Sequence, residues 1–269
     1  MKLFLQRLAS ITAFTLVLIS CLSGSLALQA KPVTNGSTPI RFNPPPPPPN
    51  RGAPGKRGEG ASRGDCAALN LPLTALVPRY EQRLSNNQEE ANTITQVWGL
   101  TSVEQPSFWF YVPYNQSDLE AIEFVLQTDK NKTIYRTPVS IPPAPGIVRV
   151  QLQNTTIPLE VNKPYHWFFK VTVACNPKQP ALSTLDYVEG WVQRVNLNTA
   201  LRNQLKQLSP QQQATIYAEK GIWYDALTTL AELRLASPQD SALSEDWKSL
   251  LKVVGLEKVA AQPLVQSTR

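Results

Sequence analysis

Histidine and cysteine are scarce in this chain of 269 residues, which contains one histidine and three cysteines. Because His166 is the single histidine, any Ser-His-Asp, Cys-His or histidine-based metal site would have to include it. The sequence also lacks a CxxC pair, a GxGxxG turn, a P-loop and, after the N-terminal segment, a GxSxG elbow. Dithiol redox chemistry, nucleotide binding and serine hydrolysis are therefore not indicated. We expect His166 to be a surface or packing residue.

A long apolar run stands out only near the N-terminus, at about 8–22. Basic residues precede it and Ser25-Leu26-Ala27 supplies the small residues of a cleavage site, which predicts a secretory signal peptide over 1–27. Because the run is too short for a stable membrane span, we expect no transmembrane helix in the mature chain and an exported, periplasmic or envelope-associated protein. Alternatively, residues 18–21 loosely fit a bacterial lipobox, and Cys21 would then carry the lipid of a lipoprotein.

Cleavage after Ala27 leaves two cysteines, Cys66 and Cys175, in an oxidising compartment. We predict that they form a structural disulfide, which would join the start of the folded part to the end of its central strand. Two cysteines and one histidine cannot make an all-Cys/His zinc site, so neither a metal nor another cofactor is expected.

The net charge of +6 is concentrated in residues 28–64, called here the N-terminal arm. The arm holds six basic residues against Glu59 and six consecutive prolines, so it cannot form a core and we predict disorder. The rest of the mature chain is close to neutral, which together with export argues against nucleic acid as a partner. Glycines beside cations in the arm are suited to an anionic envelope polymer, and the alternative is a flexible leader. The cations proposed for this contact are Arg51, Lys56, Arg57 and Arg63.

Alternation with a period of two predicts a central strand at 165–174, with Tyr165 and Trp167 on its more apolar face. Further strands are predicted at 73–77, 97–103, 108–113, 121–127, 133–139, 147–152 and 185–195. No long helical pattern separates them, which favours an antiparallel β-sandwich over parallel βαβ units. The turn with Asn162 and Pro164 before Tyr165 is similar to the tyrosine corner of immunoglobulin-like and fibronectin-like domains.

Beyond residue 197 the apolar spacing changes to nearly four, which predicts a helical C-terminal cap. Asn198 can cap a helix at 199–208, and Ser209 with Gln212 forms a capping box for a second helix. A third helix is predicted at 222–236 and a fourth from Ser241 or Ser244 to Gly255. Residues 214–238 have the spacing of one tetratricopeptide-like hairpin, interpreted as a structural cap or, alternatively, as part of a peptide-binding groove.

Aromatic residues cluster in the predicted sandwich, and Trp109, Tyr111 and Trp191 are candidates for a platform that stacks on sugars. Burial of these rings beneath the helices is the alternative. A glycan hydrolase would instead need two carboxylates at a set separation. The available acidic residues are Glu120, Glu123, Asp186 and Glu189.

Several stretches are similar to a known family. They are RGAPGKR (51–57), LTALVP (73–78), FWFYVP (108–113), EGWVQRV (189–195) and GIWYDALTTLAELR (221–234). The resemblance is to the cyanobacterial family called domain of unknown function 928 and covers about residues 51–260. It implies an exported bacterial protein, and it brings neither an activity nor catalytic residues.

The sequence thus predicts a mixed β plus α protein with an immunoglobulin/fibronectin-like antiparallel β-sandwich at 65–197, a helical cap at 198–262 and a tail at 263–269. We predict a binding or scaffolding module without catalysis, in which the arm engages an anionic envelope polymer or lipid and the sandwich–helix junction binds a partner, such as an envelope protein. The alternatives are a carbohydrate-binding module that uses the sandwich aromatics and a glycan hydrolase with a carboxylate pair.

Overall fold

A computed structural model describes residues 40–46, 55–58, 69–84, 92–152, 158–174 and 183–265. These residues form a mixed α/β structure with two β-sheets and five α-helices. Cys21, Cys66 and Cys175 lie outside them, as do the predicted signal peptide and most of the arm, so the predicted disulfide and cleavage stay predictions.

The strands agree closely with the predicted positions. They are β1 (Thr74–Ala75), β2 (Arg79–Leu84), β3 (Asn92–Thr101), β4 (Ser107–Val112), β5 (Leu119–Thr128), β6 (Thr133–Pro138), β7 (Gly146–Gln151), β8 (Pro164–Ala174) and β9 (Ser183–Arg194). The predictions omitted β2, and β1 is shorter than the stretch predicted for it. A single 3₁₀ turn, Gln116–Asp118, precedes β5.

The larger sheet has the order β2-β3-β9-β8-β5-β6 and the smaller sheet the order β1-β4-β7. Neighbouring strands run antiparallel except β3 and β9, which are parallel and pair Trp98 with Trp191. The prediction of a wholly antiparallel arrangement is therefore wrong at this one pair. The two strands are far apart in sequence, so no tight hairpin has to join them and a parallel pairing is available.

The two sheets contact each other through the aromatic side chains of β4, β5 and β8. The ring of Phe110 stacks on Phe169 with centroids 4.0 Å apart, and Phe108 lies 4.8 Å from Phe124. The central strand β8 buries Tyr165, as the alternation predicted, together with its same-face neighbours Trp167, Phe169, Val171 and Val173. Its opposite face is only partly exposed, because His166 is buried as well.

Five helices follow β9. They are α1 (Thr199–Lys206), α2 (Pro210–Glu219), α3 (Trp223–Ala236), α4 (Ser241–Lys252) and α5 (Glu257–Ala260). The predicted capping box is confirmed, since the Ser209 hydroxyl accepts from Gln212 N–H and the Gln212 side chain accepts from Ser209 N–H. The Asn198 cap of α1 is confirmed too, whereas α4 is capped by Asp240, which the sequence reading had not singled out.

The helices pack on the strands through α3. The indole of Trp223 donates to the carbonyl oxygen of Leu76 over 2.8 Å, and α3 contributes Leu227 and Leu230 to the core that it shares with both sheets. Helix α3 therefore contacts β3 of the larger sheet and β4 of the smaller sheet.

Two stretches of the arm are part of this packing. Ile40 is 2% exposed, and Phe42 lies edge-on against Trp223 at 4.9 Å. Gly55 N–H donates to Thr95 O, while Lys56 pairs with Glu189 through two backbone hydrogen bonds, which places Gly55 and Lys56 between β3 and β9. Arg57 O accepts from Ala75 N–H of β1. For 40–46 and 55–58 the structure therefore differs from the predicted free arm, because apolar side chains and unpaired strand edges hold these stretches.

The C-terminal stretch 263–265 lies beside β7. The backbone of Ile147 accepts from Val265 N–H and donates to Pro263 O. The part of the predicted tail that the structure describes is therefore paired to the edge of the smaller sheet.

Candidate binding site

A cavity of about 220 Å³ lies where the end of β3, the start of β4, β7 and the helices α2 and α3 meet. We call it the junction cavity. The side chains used below to describe it are Val103, Gln105, Arg149, Tyr217, Asp225 and Thr229. Most of its lining residues carry hydroxyl, amide or charged groups, and their apolar parts line the cavity as well.

Asp225 holds one wall of the junction cavity in place. This residue stands in the first turn of α3 and is 7% exposed. Its carboxylate accepts from the Thr101 hydroxyl at 2.7 Å, from Ser102 N–H at 3.1 Å and from the Ser102 hydroxyl. Burial raises the pKa of Asp225, and the hydrogen bonds from Ser102 and Thr101 act in the opposite direction. The carboxylate therefore ties the loop after β3 to the helix rather than pointing at a ligand.

Tyr217 supplies a hydroxyl on the α2 side of the cavity. Burial, and then the charge of Asp225, raises the pKa of Tyr217, while a hydrogen bond with Ser102 lowers it. The hydroxyl therefore stays protonated at neutral pH and is a hydrogen-bond donor or acceptor, not a nucleophile.

Arg149 is the cation of the junction cavity. Its Nε donates to the Ser107 hydroxyl at 2.9 Å, and a terminal nitrogen lies 2.9 Å from Oε1 of Glu232. The guanidinium also lies over the ring of Trp109, 5.7 Å from the ring centroid. Three contacts fix its plane while about a third of the side chain remains exposed, so the group is presented in a set orientation.

The three rings predicted as a sugar platform are all buried. Trp109, Tyr111 and Trp191 are 1%, 6% and 6% exposed. The indole of Trp109 donates to the Thr228 hydroxyl beneath α3, and Trp191 stacks on His166 at 4.3 Å with the rings almost parallel. These three rings therefore do not form an exposed stacking platform. Trp109 and Tyr111 belong to the core between the layers, whereas Trp191 packs against His166 on the opposite face of the larger sheet.

Two cations of the arm, Lys56 and Arg57, are engaged by the folded part. Lys56 Nζ lies 3.3 Å from Asp186 and over the ring of Tyr187. Arg57 is 7% exposed and donates to the carbonyl oxygen of Val254. Arg51 and Arg63 lie outside the described residues.

His166 is a packing residue, one of the two roles that the sequence suggested. Its Nε2 lies 3.0 Å from Oε2 of Glu189 without the direction of a hydrogen bond, and Phe168 flanks its ring at 4.2 Å. Nε2 of this ring has no hydrogen-bond partner among the described residues.

The four acidic residues considered for hydrolysis each have a separate partner. Glu123 pairs with Arg136, Glu120 accepts from Ser183, Glu189 lies against His166, and Asp186 accepts from the Tyr114 hydroxyl and from Lys56. Asp186 and Glu189 are three residues apart on β9, so they occupy opposite faces of the sheet. Asp186 and Glu189 therefore do not face one another across a cleft.

The residues of the junction cavity were missed at the sequence level. Asp225 carried a signal, since it is an acid on the buried side of a helix whose neighbours Trp223, Ala226 and Leu227 are apolar. No sequence signal pointed to Arg149, because one arginine in an alternating strand is typical of a solvent-facing position.

Membrane-spanning helices and metal-binding clusters can be assessed only for the described residues. None of their helices has the length and hydropathy that a membrane span requires. Within the same residues, no group of three histidine, cysteine or acidic side chains is placed so that it could hold a metal ion.

Comparison with known proteins identifies a family and no relative. A search of the curated proteins found no match. A search of the solved structures found none either. A family model described as Domain of Unknown Function (DUF928) matches residues 58–264, which is well over half of the chain. The protein therefore belongs to the DUF928 family.

Proposed function

We propose that this protein is an exported, non-catalytic binding module of the cell envelope, and that the junction cavity is its binding site for an envelope protein. The observation that carries this proposal is the cavity itself. Residues of both sheets and of two helices line it. Its charged groups, Asp225 and Arg149, are already held in place by hydrogen bonds within the fold. A site that is organised before binding loses less conformational entropy when it binds.

The surroundings of the cavity favour a protein partner. Val103 is 45% exposed at its edge, which makes it one of the few large apolar side chains of the described residues that face solvent. An exposed apolar residue beside amide and hydroxyl groups matches the anchor and polar rim of a protein interface. The Gln105 and Tyr217 side chains are of the kind that hydrogen-bond a peptide main chain.

The chemistry of the site favours binding over catalysis. The oxygens of Asp225 accept hydrogen bonds from the loop after β3, and His166 is stacked on Trp191 on the outward-facing side of β8. A general base must reach the proton that it abstracts, and neither group is placed for that.

The proposal also gives the arm a role. Lys56 and Arg57 are held by the folded part, whereas Arg41 is exposed. We propose that Arg41, with Arg51 and Arg63, attracts an anionic envelope polymer after export. The attraction would be electrostatic and therefore sensitive to salt.

The fold supports a finer assignment that is part of this proposal. Glu160 N–H donates to the Tyr165 hydroxyl at 3.1 Å. A tyrosine hydroxyl bonded to backbone a few residues upstream is similar to a tyrosine corner, which favours an immunoglobulin-like sandwich. The small buried residues Ala214, Ala218 and Ala226 at the α2–α3 contact favour a tetratricopeptide-like hairpin.

Co-sedimentation tests the two parts separately. The mature chain would be incubated with purified envelope polysaccharide, with and without detergent-solubilised envelope proteins, at low and high salt. A variant with Arg41, Arg51 and Arg63 changed to Gln should lose the salt-sensitive binding to polysaccharide. Val103→Asp should keep that binding and lose recruitment of a defined envelope protein, while the control Leu185→Asp, at another exposed apolar residue, should keep both.

Three outcomes would contradict the proposal. Equal recruitment by Val103→Asp and Leu185→Asp would remove the junction cavity as the partner site. Polysaccharide binding that resists salt and survives the arm changes would support the carbohydrate-binding alternative. Release of reducing sugar from the polysaccharide would support hydrolysis.

A further inference from the structure

The arm stretch 40–46 lies against the turn between α2 and α3, and its contacts have the form of a bound peptide. The stretch is outside helix and strand. Ile40 is 2% exposed, Phe42 and Pro45 are half-buried, and Arg41 faces solvent. One face of the stretch therefore contacts the folded part while the other lies in solvent, as in an extended peptide that is held in a groove.

The surface beneath the stretch is formed by the end of α2, the turn after it and the start of α3. We call this surface the turn site. Its members are Ala218, Glu219, Gly221 and Trp223.

Asn43 makes the polar contacts with the turn site. Its N–H donates to Ala218 O at 3.1 Å, and its side-chain Nδ2 donates to Glu219 O at 2.9 Å. The last carbonyl groups of a helix lack the partners that interior carbonyl groups have, so they accept donors from outside the helix. An aspartate at this position would have no donor on its side chain and would place a negative charge at the negative end of the helix dipole. The end of α2 therefore selects asparagine over aspartate.

Phe42 makes the apolar contact with the turn site. Its ring lies edge-on against Trp223, with the centroids 4.9 Å apart, which is a favourable arrangement for two aromatic rings. The indole of Trp223 is buried and is held by its hydrogen bond to Leu76 O, so it presents a fixed surface. The turn site therefore favours an aromatic residue directly before the asparagine.

Gly221 leaves space for a proline two residues after the asparagine. Its φ is +72°, and a Cβ at this position would lie 2.7 Å from Cδ of Pro45 and 2.8 Å from Asn43 O. Gly255, after α4, has nearly the same φ of +73°, and the nearest atom to a Cβ there is a nitrogen of Arg57 at 4.0 Å. A side chain at Gly221 would thus displace the arm stretch, whereas one at Gly255 would cause only the backbone strain.

We propose that the turn site is a recognition site for an extended segment of the pattern Phe-Asn-x-Pro, and that the arm fills it as a docked ligand from the same chain. The aromatic ring contacts Trp223, the asparagine donates to the end of α2, and the proline lies over Gly221. The fixed φ of proline lowers the conformational entropy that an extended segment loses on binding. Once the resident stretch is prevented from docking, the site accepts the same segment from the arm of a second copy of this chain.

A peptide that copies residues 40–46, acetylated and amidated at its ends, tests the proposal on the full mature chain. In the chain, Phe42→Ala combined with Asn43→Asp vacates the turn site. This vacated chain should bind the peptide saturably, with one molecule per chain and with amide chemical-shift changes at 216–223. The unchanged chain should bind it at least about tenfold more weakly, because its own arm competes at a high effective concentration.

Changes in the peptide show which side chains are recognised. Peptides with Phe42→Ala or Asn43→Asp should bind the vacated chain about tenfold more weakly or less, because each removes a contact or leaves a carbonyl group of α2 without its donor. The peptide with Arg41→Ala is the control. Arg41 is exposed, so this peptide should bind as the parent does.

Gly221→Ala in the vacated chain tests where the peptide binds. Its Cβ takes the space of Pro45 and should abolish binding. Gly255→Ala, with the same kind of backbone strain and no close contact, is the matched control and should leave the affinity unchanged. If Gly221→Ala does not unfold cooperatively, the comparison of the parent peptide with the Asn43→Asp peptide decides the question.

The proposal is wrong if the vacated chain does not bind the peptide, because the arm stretch is then an integral part of the fold. Equal binding of the parent and Asn43→Asp peptides, or equal binding by the vacated and unchanged chains, would also overturn it. The junction cavity has no part in this inference. Recruitment of the envelope protein is measured at Val103, so failure here leaves the proposed function untouched, and the reverse also holds.

Discussion

The indole N–H of Trp167 on β8 donates to the hydroxyl of Tyr224 on α3 over 2.9 Å, so one buried hydrogen bond joins the larger sheet to the helices. The Tyr224 hydroxyl in turn donates to the carbonyl oxygen of Trp191 at 3.2 Å. Burial raises the pKa of Tyr224 well above its ordinary value, so the hydroxyl remains a donor. These two hydrogen bonds fix the position of the helices on the strands and thereby the position of the junction cavity.

Tyr224→Phe is expected to lower the free energy of unfolding by about 1–3 kcal/mol, because it leaves the buried Trp167 N–H without its acceptor. Urea denaturation followed by tryptophan fluorescence measures the loss. Tyr135→Phe, at a half-buried tyrosine of the edge strand β6, is the control and should change little. Equal effects of the two changes would mean that the hydrogen bond contributes nothing specific.

Asp225→Asn is expected to change how stability depends on pH. Burial raises the pKa of Asp225 above the ordinary value of 3.8, so the folded protein holds this proton more tightly than the unfolded chain does. The stabilisation by that proton is complete below pH 3.8 and is lost as the pH rises through the folded pKa. The free energy of unfolding of the unchanged protein minus that of Asp225→Asn should therefore fall as the pH rises from 3.8.

Urea unfolding of both proteins across a pH series checks this, since other titrating groups cancel in the difference. A difference that rises with pH would show that the hydrogen bonds from Thr101 and Ser102 outweigh burial.

Gly190→Ala is expected to destabilise the protein by about 1–3 kcal/mol through overpacking. A Cβ at this position would lie 2.5 Å from Cζ2 of Trp167 and 2.7 Å from Val97 O, and neither the buried indole nor the backbone can move away. The matched change Gly99→Ala would bring its Cβ to 3.1 Å from Tyr224 and should cost less. Thermal unfolding of the two variants ranks them, and the reverse order would contradict the packing described for β9.

Phe42→Ala is expected to destabilise the folded part by about 1 kcal/mol, because it removes the edge-on contact with Trp223. Arg41→Ala, at the exposed neighbour, should be neutral. Denaturant titration compares the two. If Phe42→Ala is also neutral, the contact between Phe42 and Trp223 contributes no stability.

The sequence predicted most of the secondary structure because most elements have a local cause. The alternation that includes Tyr165 and Trp167 gave the face of β8 that is buried, and the Ser209–Gln212 capping box gave the start of α2. The strand β2 was omitted because Arg79–Leu84 carries charges that mask its alternation. It is held as a strand by pairing with β3, which no local pattern reveals.

The sequence by itself determined most of the segments that form strands and helices, where their apolar faces lie, and that positive charge collects in the arm, because these follow from spacing and composition along the chain. Only the tertiary structure decided that β3 and β9 pair in parallel, that Lys56 and Arg57 are held inside the fold, and that Trp109 and Trp191 are buried. It also brought Asp225 and Arg149 to one cavity. Such contacts join residues from distant parts of the chain, and their geometry depends on how the layers pack rather than on any local preference.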